Sequence, residues 1–283
     1  MAGIRDIRRR IRAVRNMQQI TKAMKMVAAS KLRRSQEKVI AARPYAVQLQ
    51  EVLARLAAAG VDLSHPLLER RPVTRTGFIV LTADRGLCGG FNANMIRMTR
   101  GLLAEQTAEV ALVPVGRKGR DFFRRRGVPI LAEFTGLGDR PTYGQAGQIA
   151  QEVIRLYQEK ELDEVYLNFT EFRNAISQRP VTIKLLPIET PEQKPGVTRQ
   201  YIFEPEAAEI MDRLLPKYVE TIIYRGLLES KASEFGAKMT SMGSATDNAK
   251  AMIDRLTLAM NRARQAAITK EISEIVGGAA ALE

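Results

Sequence analysis

Cysteine and histidine are nearly missing from this chain of 283 residues, which has only Cys88 and His65. One cysteine excludes a disulfide framework and a cysteine-rich metal site, and one histidine excludes any metal site that needs two. Long apolar runs are missing too, since none approaches the ~18–20 residues of a membrane-spanning helix. The start, MAGIRDIRRRIR, carries charge with no apolar core behind it, so no secretory signal is expected and reduced cytoplasm is the expected compartment. Proline and aromatic residues are absent from the two ends. All twelve prolines lie between Pro44 and Pro216, and aromatic side chains occur only between Tyr45 and Phe235. The ends are free of helix breakers and the middle is not.

The C-terminal end has the clearest pattern. Phe235, Met239, Met242, Thr246, Ala249, Ile253, Leu256, Met260, Ala263 and Ala267 follow a four-three spacing, the seam of a coiled coil. Small residues, Gly236 and Gly243 among them, allow close helix approach. After Ala267 the apolar positions move to Ile268, Ile272, Ile275 and Val276, ahead of Gly277-Gly278-Ala279-Ala280. A small-residue tip of this kind calls for an apolar surround. At the other end Ile4, Ile7, Ile11 and Val14 lead into Met17, Ile20, Met24 and Val27. Three consecutive three-residue steps from Ile11 to Ile20 predict a shortened heptad and local overwinding. Pro44 predicts a kink or interruption, with helix resuming to Gly60. Some 55 helical residues would span roughly 80 Å at 1.5 Å per residue. Two such rods leaving one globule predict an antiparallel two-helix coiled coil.

Charge is unevenly spread. Lys and Arg total 44 against 31 Asp and Glu, and residues 1–60 hold 14 basic and 3 acidic residues, whereas 206–283 hold 10 and 11. The arm with Arg5, Arg8, Arg9, Arg10, Arg12 and Arg15 admits three readings: a solvated face of a paired helix, a handle for an acidic protein partner, or a nucleic-acid arm. No aromatic residue interleaves to stack bases.

The middle alternates strands and helices. Gly77–Ala83, Val110–Val115, Val128–Phe134, Val165–Thr170 and Pro180–Leu186 read as strands. Asn92–Glu105, Arg117–Arg126 and Tyr143–Lys160 read as helices. Pro187–Gln200 reads as loop, and a strand-like run, Tyr201–Glu204, precedes a helix opening at Glu206. The fold class is therefore α/β, with long N- and C-terminal helices forming an antiparallel coiled coil and a Rossmann-like, mostly parallel sheet domain between them in the chain. The expected domains are 1–60, 73–204 and 206–283. Gly86-Leu87-Cys88-Gly89-Gly90 follows a strand but is not GxGxxG and has no Walker lysine, so a structural turn is preferred to a phosphate cradle. Cys88 as a nucleophile would make the chain a small α/β enzyme. With the only histidine remote in sequence, a buried structural thiol is preferred.

ITKAMKMVAASKLRRSQ near the start, DRGLCGGFN in the middle, SATDNA, and RARQAAITKEISEIVGGAAA at the end occur in this order along the whole chain. Together they make the chain resemble the gamma subunits of rotary, F-type ATP synthases. The resemblance implies a non-catalytic central-stalk rotor that couples ion flow through a membrane ring of c subunits to conformational changes at catalytic beta subunits. It implies alpha, beta, epsilon and c-ring partners, no cofactor, no nucleic acid, and a peripheral place on the cytoplasmic side of the cell membrane through the c ring alone. By match to the family's motifs, Met24, Arg264, Gln265, Thr269 and Glu271 would meet the beta subunits, and Tyr201 and Glu204 would lie at the foot on the c ring. Two positions depart from the family pattern: Lys238 stands where an arginine is common, and Gly243 where a basic residue is common. A lysine cannot form the bidentate contact of a guanidinium. The alternative from another class is a nucleic-acid-binding coiled coil with a basic N-terminal arm.

Overall fold

The computed structural model describes residues 4–58, 65–189 and 207–280. The elements are α1 (Ile4–Ala58), a 3-10 turn at Pro66–Leu68, β1 (Arg75–Leu81), α2 (Phe91–Glu105), β2 (Glu109–Val115), α3 (Arg117–Arg124), α4 (Tyr143–Gln158), β3 (Glu164–Phe172), β4 (Gln178–Leu186) and α5 (Ala207–Ala280). Two compact units emerge: Met1–Val27 with Met239–Glu283, and Ala28–Lys238.

The globular unit, Ala28–Lys238, is built on a four-stranded sheet of order β2-β1-β3-β4. β1 runs parallel to both neighbours, with Phe78 opposite Leu112 on one side and Tyr166 on the other. β4 returns antiparallel to β3, Val181 facing Phe169. Alternate residues of β1 go to opposite faces. Ile79 and Leu81 join a core with Ile149 and Val153 of α4 and with Leu215, Val219 and Ile223 of α5. Phe78 and Val80 join another with Met95 of α2 and Phe123 of α3. Burial on both faces is why the strand reads as an unbroken apolar run.

The expected strand at Val128–Phe134 does not form. Only two isolated parallel bridges join that segment to β2, Leu112 to Ile130 and Val115 to Phe134. The cause lies in the neighbour. Leu112 donates to the Pro129 carbonyl and accepts from Leu131, but the next outward-facing residue of β2 is Pro114, which has no N–H to donate. The ladder resumes one residue out of step, with Phe134 N–H donating to the Pro114 carbonyl and Gly116 N–H to the Phe134 carbonyl. The other predicted strands and helices on described residues form, with ends shifted by a few residues. The strand-like run Tyr201–Glu204, most of the expected loop Pro187–Gln200, the helix start at Glu206 and the helix end at Gly60 lie outside the described residues.

One buried ion pair ties the entrance of the sheet together. Asp163, just before β3, accepts from Arg71 Nε at 2.7 Å and from the amides of Thr74 and Arg75 at 2.8 and 2.9 Å, and it also accepts from the Thr74 hydroxyl. The Arg71 guanidinium also bonds the carbonyls of Tyr157 and Leu162 and lies 4.4 Å from the centre of the Tyr157 ring. Burial alone would raise the Asp163 pKa. The Thr74 and Arg75 donors and Arg71 outweigh it and hold the carboxyl at about 2.

Two readings of α1 are changed by the structure. Of the kink or interruption expected at Pro44, the interruption is absent, since Pro44 sits inside the continuous span Ile4–Ala58. An interior proline costs about 3 kcal/mol; Val39 before it and Leu49 and Leu53 after it are buried, each worth roughly 2 kcal/mol, so packing outweighs the lost bond. The shortened heptad is also absent. Met17 and Ile20 are 56% and 54% exposed, while Gln18 is half-buried and Thr21 buried. Ile11, Val14, Gln18 and Thr21 keep the regular alternation of three and four, so no overwinding is required.

Two stability measurements test this unit. The Asp163 pKa is depressed relative to an unfolded carboxyl near 3.8, so its contribution is complete above about pH 4 and lost as pH falls towards 2. Urea titrations across that window should show about 2 kcal/mol less acid sensitivity in Asp163→Asn than in the parent, on top of a loss of about 3 kcal/mol at neutral pH from the unpaired Arg71. Gly116 has φ +105° and an added Cβ would stand 2.1 Å from the Thr82 carbonyl oxygen, whereas Gly127, at φ +68°, has open space around it. Gly116→Ala should therefore abolish or severely reduce stability, while Gly127→Ala should cost only about 1–2 kcal/mol by thermal melting.

Candidate functional site

The helical unit pairs the start of α1 with the end of α5. Its register is set where the Thr246 hydroxyl lies 2.8 Å from the Thr21 hydroxyl. Thr246 is also 2.7 Å from the Met242 carbonyl, and Thr21 is 3.1 Å from that of Gln18, so both hydroxyls are satisfied inside the seam. One turn away Gly243 faces the Lys25 side chain, where an added Cβ would be at 3.6 Å, an ordinary contact. Space alone does not demand glycine there. The predicted seam residues from Met239 to Ala267 are all buried or half-buried.

Counting equal steps outward from Thr21 and Thr246 puts Ile4 opposite Ala263. Beyond Ala267 the described part of α1 has nothing to set against α5, and every residue from Ile268 to Gly277 is exposed. Ile268, Ile272 and Ile275 share one helix face by their spacing, and Ile275 is 71% exposed. The polar side of the tip holds a Lys270–Glu274 pair at 3.5 Å, open to solvent and worth little. An apolar helical stripe without a partner marks a surface that something else covers.

The predicted contact residues fall into two groups. Arg264, Gln265, Thr269 and Glu271 are exposed at the tip. Met24 is half-buried and, in this register, opposite Gly243, roughly 30 Å along the helix from Arg264. Tyr201 and Glu204 lie outside the described residues. Sequence periodicity missed Gln18 and Thr21 as seam members because they are polar; the unbroken three-four spacing through them was the available signal. Lys238, in the globular unit, pairs with Glu234 at 3.3 Å and stands 5.8 Å from the centre of the Phe235 ring.

The glycine-rich loop is a structural joint. Asp84 accepts from the Arg117 and Gly136 amides, each at 3.0 Å, and Asn92 accepts from the Ala83 amide at 2.9 Å. Asn92 Nδ2 also donates to Cys88 Sγ at 3.2 Å. Cys88 packs with Ala83, Phe91 and Ala237 and is 2% exposed. Burial and the Glu234 charge push its thiol pKa up, so it is not poised as a thiolate nucleophile. His65 Nδ1 accepts from the Leu67 amide at 3.0 Å, and its Nε2 is 3.6 Å from Asp212. The six arginines from Arg5 to Arg15 are all exposed, and Arg9 reaches Asp6 at 2.9 Å. No helix among the described residues is long and apolar enough to cross a membrane.

Comparison with known proteins matches this arrangement. The ATP synthase family model covers residues 3–282. The ATP synthase gamma chain of Desulfitobacterium hafniense is 70% identical over 283 residues, covering all of both chains. That of Heliobacterium modesticaldum is 58% identical over 290 aligned residues, again with full coverage of both. Among solved structures, a chain of the Tetrahymena thermophila mitochondrial ATP synthase central stalk and c-ring has a TM-score of 0.62 at 28% identity, covering 80% of this chain and 99% of that one. A rotor chain of the Euglena gracilis mitochondrial enzyme shares the fold, with a TM-score of 0.65 at 17% identity over 94% of this chain and 98% of that one. With a family match and identities of this size running end to end over two long helices and an α/β sheet, the chain belongs to the ATP synthase gamma chain family.

Proposed function

We propose that this chain is the central-stalk rotor subunit of an ATP synthase, non-catalytic in itself. It couples ion flow through a membrane c ring to conformational changes at catalytic beta subunits. The observation that carries the reading is the tip of α5, a continuous helix whose apolar stripe passes beyond its seam partner and stands exposed. Family membership supplies the setting, and the Tetrahymena relative is a central-stalk chain solved with a c ring. The partners are alpha and beta subunits around the helical unit, epsilon beside the globular unit, and the c ring beneath. The chain then sits peripherally at the cytoplasmic side of the cell membrane, held through the c ring.

In this reading Arg264, Gln265, Thr269 and Glu271 meet the beta subunits near the tip and Met24 meets them lower on the shaft, while Tyr201 and Glu204 belong to the foot. Two helices that differ in sequence present a different surface at every angle. Each orientation therefore favours a different conformation at each of several equivalent catalytic sites, which is coupling by differential contact. Coupling of this kind is thermodynamically reciprocal, so ion-driven rotation favours synthesis and hydrolysis drives the reverse turn. The rotor needs stiffness and asymmetry and no catalytic residue. The nucleic-acid alternative has no support: the chain matches the ATP synthase family from residue 3 to 282, and no aromatic residue stands within the basic arm to stack a base.

In a reconstituted complex, Ile272→Asp with Ile275→Asp should leave the unfolding free energy of the isolated chain within about 0.5 kcal/mol, because both sites are exposed. The same pair should lower ion-driven ATP synthesis several-fold; unchanged synthesis would refute the tip as the coupling surface. With Cys88→Ser as background, Met24→Cys should form oxidative cross-links to cysteines placed on the beta subunits, and cross-linking should stop turnover until reduced. A complex that turns over freely while cross-linked would remove Met24 from the shaft contact.

A further inference from the structure

α2 and α3 lie side by side over the face of the sheet that carries Phe78 and Val80, the face turned away from α4 and α5. A groove of about 460 Å³ runs between them. Ile96 and Phe122 line it, and neither is fully covered: both are half-buried, at the edge of the core around Met95 and Phe123. The groove therefore offers apolar surface to whatever enters. The cations of α3 sort by side. Arg120 and Arg124 both reach Glu133, and Arg120 also holds Asp121 at 2.7 Å. Around the groove, Arg97, Arg100, Lys118 and Arg125 are exposed and have no carboxylate partner among the described residues. Asp121 is the one acidic side chain of the lining. Its hydrogen bond from Arg120, with Arg125 and Arg117 close by, holds its carboxyl below the usual range.

Uncompensated cations that converge on open apolar side chains repel one another and leave that surface wet, so folding alone does not favour the arrangement. One complementary occupant relieves both. We propose that the groove between α2 and α3 docks an acidic amphipathic helix of a partner protein. Apolar side chains one turn apart rest on Ile96 and Phe122, while carboxylates on the two flanks meet Arg97 and Arg100 on one wall and Lys118 and Arg125 on the other. From Asn92 to Arg100 that wall rises about 12 Å, room for roughly two turns of helix. A contact this short falls below the standard interface, so the association is weak and exchanges quickly. A nucleic acid fits less well. Arg126 occupies a face of the Phe122 ring, 3.7 Å from its centre, and no other aromatic side chain lines the groove to stack a base. Because the groove lies on the side of the sheet opposite α5, its occupant leaves α5 untouched within this unit.

The test is a titration of the full-length chain, at physiological ionic strength, into a fluorescent helix-stabilised peptide of about 14 residues, with leucines three and four apart and glutamates on the flanks. Saturable anisotropy is expected, weakening as salt rises, with hydrogen-exchange protection confined to α2 and α3. A peptide of the same composition with its leucines scattered round the helix should bind about tenfold more weakly or worse. Arg100→Gln with Arg125→Gln should lower affinity about tenfold or more; both residues are exposed, so an unchanged thermal melt is expected. Ile96→Ala removes floor surface and no charge, and should weaken binding several-fold. Arg34→Gln with Arg140→Gln, at exposed cations elsewhere on the same unit, should leave binding intact. Absence of saturable binding overturns the proposal, as does protection elsewhere on the chain, equal binding of the scattered peptide or full affinity in the Arg100 and Arg125 double variant. Tighter binding of a single-stranded oligonucleotide that protects the same two helices would assign the groove to nucleic acid, and would also overturn it. The outcome is independent of the coupling measurements, since no residue of the tip takes part.

Discussion

Two threonine hydroxyls 2.8 Å apart fix the register of the helical unit. A slip of one residue rotates a helix face by about 100°. It would carry Thr21 and Thr246 out of the seam and leave polar groups against apolar ones. The Thr21–Thr246 pair therefore chooses one register among several that the small residues Ala249, Ala263 and Ala267 would tolerate. Alanine seams pack closely but specify little, because one alanine fits where another did. A polar pair within the seam supplies the specificity, as single polar seam positions do in coiled coils generally. From that register it follows that α1 is exhausted near Ala263, and hence that the stripe beginning at Ile268 is uncovered.

The globular unit rests on a different device. Its sheet is parallel on both sides of β1, so its strands are far apart in sequence and no tight hairpin fixes the relation of β1 to β3. Asp163 does this work at one end, receiving donors from Arg71, Thr74 and Arg75 and donating its own amide to the Arg75 carbonyl at 2.9 Å. An ion pair so deeply buried is weak as a net source of stability and costly to break. Its value is positional. It locks the approach to β1 against the approach to β3, and both faces of the sheet can then be covered, by α4 and α5 on one side and by α2 and α3 on the other.

Much of this is legible in the sequence. Gly77–Ala83 declared a doubly buried strand, and the seam from Phe235 to Ala267 declared its helix face and its end. What was not legible depended on a neighbour. Val128–Phe134 has the composition of a strand, but the missing amide is in β2, at Pro114, and no pattern within the segment records it. Pro44 reads as a breaker because local propensity cannot see Leu49 and Leu53 being buried after it. The proposed contact residues came from motif resemblance alone, and no pattern within the sequence showed how far apart they stand: the distance of Met24 from the exposed Arg264, Gln265, Thr269 and Glu271 required the register of the two helices.

Met17, Ile20, Gln18 and Thr21 invert the usual distribution of side chains on a paired helix. A helix stabilised only by its partner would place the methionine and isoleucine inward and the glutamine and threonine outward. Here the assignment is reversed: Met17 and Ile20 face solvent while Gln18 and Thr21 sit in the seam. Each exposed apolar side chain forgoes roughly 2 kcal/mol of burial, so folding of the isolated chain does not explain the choice. Local rules are broken where a surface serves something other than the fold. In the proposed rotor, the outward apolar positions of α1 and the stripe at Ile268, Ile272 and Ile275 belong to one requirement. The shaft must offer an apolar surface to a sleeve while its own two helices are held in register by polar contacts. Polar groups satisfied inside the seam keep that register without using up the apolar side chains that the outer surface needs.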